Sequence, residues 1–65
     1  MIVIKIAMTI ALMFSALNNR FPGTNYQFYV DRIEDNNMAV IEIYNEQTDN
    51  IQFVDYSLDN NCFMN

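Results

Sequence analysis

Eight carboxylates carry most of the chemical potential of this chain, and all of them fall between Asp31 and Asp59. They gather as Asp31, Glu34 and Asp35, then Glu46 and Asp49, then Asp55 and Asp59, with Glu42 between the first two groups. Such side chains can hold a hard cation through their oxygens or work in pairs as general acid and base. A carboxyl acts as an acid near neutral pH only when burial raises its pKa, and these groups lie in the most polar stretches of the sequence. They read as solvated turn charges, with neither a catalytic nor a metal site expected and no D-x-D-x-D-G calcium loop.

Other chemistry is thinned by missing residue types. Without histidine, a Ser-His-Asp or Cys-His nucleophile cannot form in its usual arrangement. A single glycine rules out a phosphate-cradling loop or a dinucleotide fingerprint. Zinc would find one thiolate, Cys62, and no imidazole. That cysteine cannot build an internal disulfide, and its neighbourhood in the sequence offers neither the cation nor the helix N-terminus that a reactive thiol needs. The expectation is a protein without cofactor that is not an enzyme, in a reducing compartment such as the cytoplasm of a host cell.

The charges are unevenly placed. From Tyr26 onward there are eight acids against the single base Arg32, a formal charge of −7, whereas Lys5 and Arg20 leave the preceding part at +2. A field of that sign opposes phosphate backbones, so direct nucleic-acid binding is disfavoured, and it attracts the basic surface of another protein. Among the aromatics, Tyr29, Tyr44 and Tyr56 are the candidates for anchors on an outer sheet face, because exposed tyrosine is enriched at interface centres.

These groups must be positioned by a 65-residue chain, enough for one domain with a thin core. Disulfides and metals are not on offer, so homo-oligomerisation or docking on a partner is the available support. Residues 1–19 form an apolar arm. Its even positions from Ile2 to Phe14 alternate as in a strand, while Ile2, Ile6, Ile10, Met13 and Leu17 also keep helical spacing. The run of Ala, Met and Leu from Ala7 to Leu17 favours helix, and Asn18 and Asn19 can end it. A helix is predicted from about Lys5 to Asn18, with Met1 to Ile4 free to be extended and the choice between strand and helix open for residues 1–10. The arm is too short to span a bilayer and lacks a clear cleavage site, so a membrane role is not the expectation.

Phe21-Pro22-Gly23-Thr24 suits a type II turn. Residues 26–56 then read as an acidic meander. Tyr26 to Ile33, Met38 to Tyr44 and Ile51 to Tyr56 are its strands, joined by polar turns at Glu34 to Asn37 and Asn45 to Asn50, and a tail covers 57–65. The fold class predicted is α+β, one N-terminal helix on a three-stranded antiparallel meander, α-β-β-β.

Within the meander, Tyr29-Val30-Asp31-Arg32-Ile33-Glu34-Asp35, continued by Ala39-Val40-Ile41-Glu42, resembles the opening hairpin of a family of short bacterial β-domains of unknown function. Members of that family read V-D-R-x-E-x and then A-V-x-E. The likeness covers residues 29–42, implies a hairpin there, and leaves function open. In size, acidity and asparagine-rich coding the chain is also similar in type to phage-encoded inhibitors of host defence proteins, such as anti-CRISPRs.

The resulting expectation is a small acidic protein-binding module. Its partner-binding residues would be Asp31, Glu34, Asp35, Glu42, Glu46, Asp49, Tyr29 and Tyr44, and it would occupy a basic nucleic-acid groove on another protein. The alternative is a small membrane-associated or exported protein with an apolar N-terminal anchor.

Overall fold

A computed structural model describes the backbone of residues 2–64 and the side chains of residues 10–64. One helix, α1 (Ile2–Arg20), is followed by four strands, β1 (Tyr26–Glu34), β2 (Met38–Asn45), β3 (Asn50–Ser57) and β4 (Cys62–Phe63). The strands pair antiparallel in chain order, β1-β2-β3-β4, a meander with no crossover.

The helix is longer than the sequence suggests at both ends. Ile2 to Ile4, for which the sequence left strand and helix open, are helical, and Met1 lies outside the described residues. At the other end Phe21 N–H donates to Leu17 O at 2.8 Å, closing a last turn beyond Asn18. Pro22 then stops the helix, since it has no N–H to give and biases the residue before it away from helical backbone. Gly23 adopts φ +106°, the left-handed side that a type II turn demands at that position.

What helix wins over strand for this arm is packing. Met13 and Leu17, four residues apart on one face, are 1% and 0% exposed and lie in a core with Ala39, Ile41, Ile43, Val54 and Tyr56. Phe14, Ala16, Phe21, Tyr26, Phe28, Leu58 and Phe63 border that core. Exposure rises toward the N-terminus along the same face: Ile10 is 36% exposed, and Leu12 nearby is open. Among the described side chains, Met13 and Leu17 in the C-terminal half of α1 provide the lid expected of the apolar arm.

The expected tail is also partly sheet. Cys62 and Phe63 pair with Ser57 and Tyr56, and Met64 N–H donates to Asp55 O at 2.9 Å. Phe63 meets Tyr56 edge to face at a centroid distance of 5.2 Å, and the Arg20 guanidinium sits 4.6 Å from the Phe63 ring. Two residues cannot display a strand period, so this strand left no pattern in the sequence, and the expected count of three becomes four.

Each reversal of the meander is finished by the same device. Asn37, Asp49 and Asn61, at φ +57°, +60° and +54°, each occupy the residue just before the next strand. Asn and Asp enter this left-handed region more readily than other residues with a Cβ. Local side-chain bonds support the turns: Asn45 Oδ1 accepts from Gln47 N–H at 3.0 Å, and Ser57 Oγ from Asn60 N–H at 3.1 Å. Two turns are also tied together, because Leu58 N–H donates to Asn37 O and Asn37 Nδ2 to Asp59 Oδ1.

Candidate interaction surface

Alternation along the strands divides the sheet into a covered and an open face. In β2, Ala39, Ile41 and Ile43 turn toward α1 and are buried, while Met38, Val40, Glu42 and Tyr44 turn away. Their register partners share these faces, although Val30, Ile33 and Gln52 on the inner side lie beyond the cover of α1 and are exposed. Phe28, Val54 and Tyr56 join the inner set, whereas Gln27, Tyr29, Ile51, Phe53 and Asp55 join the outer one. Tyr56, expected as an outer anchor, is buried on the inner face, and that burial pushes its phenol pKa up, with Cys62 adding to the effect.

No described element covers the outer face, which is organised in cross-strand rows. Gln27, Tyr44 and Ile51 form one row, Tyr29, Glu42 and Phe53 the next, and Arg32, Val40 and Asp55 the third. Ile51, Phe53 and Tyr29 are exposed there. Val40 is buried between its neighbours Arg32 and Asp55.

A register shift between Val30 and Arg32 inserts Asp31 as a bulge. A bulge places two residues opposite one and so brings Asp31 and Arg32 to the same side of the strand. There they form an ion pair of 2.7 Å. The one base after residue 25 is thus engaged by its own neighbour. The bulge and its charges also blunt the free edge of β1 against pairing with another strand.

Polar side chains are linked at the end of the face nearest the β2–β3 turn. Tyr29 OH donates to Gln27 Oε1, and Gln27 Nε2 donates to Glu46 Oε1. Tyr44 OH donates to Asp49 Oδ1 at 2.6 Å. That hydrogen bond is the main reason the Tyr44 phenol pKa is raised, followed by the negative charge of Asp49 and by smaller contributions from burial, Glu46 and Tyr29. The left-handed turn residue Asp49 therefore has a second task, orienting a tyrosine of the open face.

The residues expected to bind a partner do not form one cluster. Tyr29, Glu42 and Tyr44 lie on the outer face, with Asp31 brought to it by the bulge. Glu34 ends β1 opposite Met38 and Asp35 follows in the β1–β2 turn, while Glu46 and Asp49 occupy the β2–β3 turn at the opposite end of β2, about 25 Å away at strand rise. The acids frame the open face at its two ends instead of meeting at a point. Among the described residues, no group of three acids or thiols is placed to hold a metal ion. Phe53, Ile51 and Asp55 also belong to this face and were missed, although the alternation in Ile51 to Tyr56 already separates Ile51, Phe53 and Asp55 from Val54 and Tyr56.

Comparison with protein-family models, curated proteins and solved structures finds no match to this chain.

Proposed function

We propose that this chain is a protein-binding module that lays the open face of its sheet on a basic surface of another protein. The observation that carries the reading is an uncovered face on which exposed Tyr29, Phe53 and Ile51 surround Glu42, framed by acidic turns at both ends. Exposed aromatics of this kind supply anchoring area, and the surrounding negative field draws in a cationic partner and repels nucleic acid. A groove that normally receives a phosphate backbone has the matching sign. The module would then act as an inhibitor of the anti-CRISPR kind inside a host cell, by occupancy and without catalysis.

The test is capture from a host lysate on the intact chain, with mass spectrometry, at low and high salt and with duplex DNA or RNA as competitor. The reading expects nucleic-acid-binding proteins to be retained at low salt, released as screening shortens the reach of the charges, and displaced by the competitor. Retention indifferent to both salt and nucleic acid would overturn it.

A second reading has its own support in Ile10 and Leu12, which are exposed on α1. It makes the helix a membrane-associated or exported element with the acidic sheet facing water. Among the described residues no helix is long and apolar enough to cross a bilayer, so this association would be interfacial. Flotation with phosphatidylcholine vesicles separates the two readings, since only the second expects the chain to rise with lipid.

A further inference from the structure

We infer that Tyr29, Glu42 and Phe53 form a cradle for the guanidinium group of an arginine presented by the partner. The inference rests on the proposed docking face and names the chemistry at its centre. Glu42 on β2 is paired in register with Tyr29 on one side and Phe53 on the other, so the carboxylate stands between two aromatic side chains in a single cross-strand row. In an antiparallel sheet, hydrogen-bonded and non-hydrogen-bonded pairs alternate, so the two aromatic Cα atoms lie about 10 Å apart. A planar cation with about 3.5 Å of stacking distance to each ring fits that width once the side chains lean toward it.

Three further features suit this occupant. Tyr29 and Phe53 are 50% and 52% exposed, so each offers a ring face to solvent. The Tyr29 hydroxyl is tethered to Gln27, itself bonded to Glu46, which restrains the side chain. Arg32, the base on this face, is engaged by Asp31, and the Glu42 carboxylate makes no side-chain hydrogen bond or ion pair among the described residues. The row therefore joins an unengaged carboxylate to two π surfaces within the acidic half. Guanidinium matches both, because it accepts stacking on its plane and donates two parallel N–H bonds to a carboxylate, whereas a lysine ammonium does neither in the same geometry.

The discriminating experiment compares hexa-arginine with hexa-lysine by fluorescence anisotropy and by two-dimensional NMR of the intact chain, at low and moderate salt. The cradle predicts tighter binding of the arginine peptide by about five-fold or more, with the largest shifts at Tyr29, Glu42 and Phe53. Glu42→Gln and Phe53→Leu should each erase most of that preference. Both positions lie on the open face, so thermal melts should stay close to the parent and establish that the fold is kept. Equal affinity for the two peptides, falling alike with salt, would overturn the cradle while leaving the acidic docking face standing. An arginine preference untouched by both substitutions would also overturn it, by placing the site elsewhere. Absence of binding by either peptide at low salt would remove the docking face and the cradle together.

Discussion

The inner and outer faces of this sheet come from the same strands, residue by alternate residue, yet they are built on opposite terms. The inner face is aliphatic at its centre, with Ala39, Ile41, Ile43 and Val54 covered by Met13 and Leu17 of α1, while Val30 and Ile33 at its β1 margin stay exposed. The outer face places an acid at its centre and aromatics around it, and no described element covers it. Burial of apolar surface is the dominant favourable term in folding, so the inner face carries the stability. The outer face spends its aromatic area on exposure, which a small domain with little surplus does not do for stability. The contrast separates what the chain needs to fold from what it has left over for recognition.

Truncation on the two faces should break that symmetry most visibly. Leu17→Ala opens a cavity beneath the lid and is expected to cost about 2–5 kcal/mol, enough to unfold much of a small domain, as read by circular dichroism melts. Phe53→Ala on the outer face should shift the same melt by less than about 1 kcal/mol, since its ring is already half in water. Comparable losses at the two sites would mean that the faces are not functionally distinct.

A smaller effect tests the turns that keep the faces in register. Asn61→Val forces a β-branched residue into a left-handed position and should cost about 1–2 kcal/mol. Asn61→Gly should recover most of that loss, because glycine meets no Cβ penalty there. If valine and glycine behave alike in denaturant melts, the left-handed residue is not what sets the turn.

The smallest effect is a titration. Tyr44 has its pKa raised above the usual 10.0 by donating to Asp49, so folding favours its protonated form. The stability that this provides is fully present below the unfolded-state pKa and is lost as pH rises through the higher folded value. Tyr44→Phe should remove one late step from the ultraviolet phenolate titration and lessen the alkaline loss of stability, with little change at neutral pH. An unchanged titration curve would show that the Tyr44–Asp49 bond does not persist in solution.

Much of this arrangement was legible from period and punctuation. The alternation of Met38 to Tyr44 separates the two faces, and Pro22-Gly23 marks the break between helix and sheet. The arm was harder to read because Ile2 to Phe14 satisfies strand and helix periods together, and the outcome depends on Met13 and Leu17 finding a sheet to lie on. The last strand escaped notice because its identity comes from Phe63 packing on Tyr56 and from Arg20 above it, contacts between residues remote in sequence. Tyr56 belongs to the inner face because the alternation that sets Val54 opposite Phe53 also sets Tyr56 with Val54. Among the ten asparagines, Asn37 and Asn61 close turns that glycine would otherwise be needed to make. Of the proposed binding residues, the bulge at Asp31 could not be foreseen, because it arises from how β1 aligns with β2.

The shared turn device makes the hairpins modular. Because each strand is launched by a residue whose backbone has already swung to the left-handed side, the residues at a loop tip are spared the work of reversing the chain. A peptide tag spliced ahead of Asp49 would sit beside the open face, and one spliced ahead of Asn61 at the far end, so the molecule offers two ready ports for reporters at either margin of its contact area.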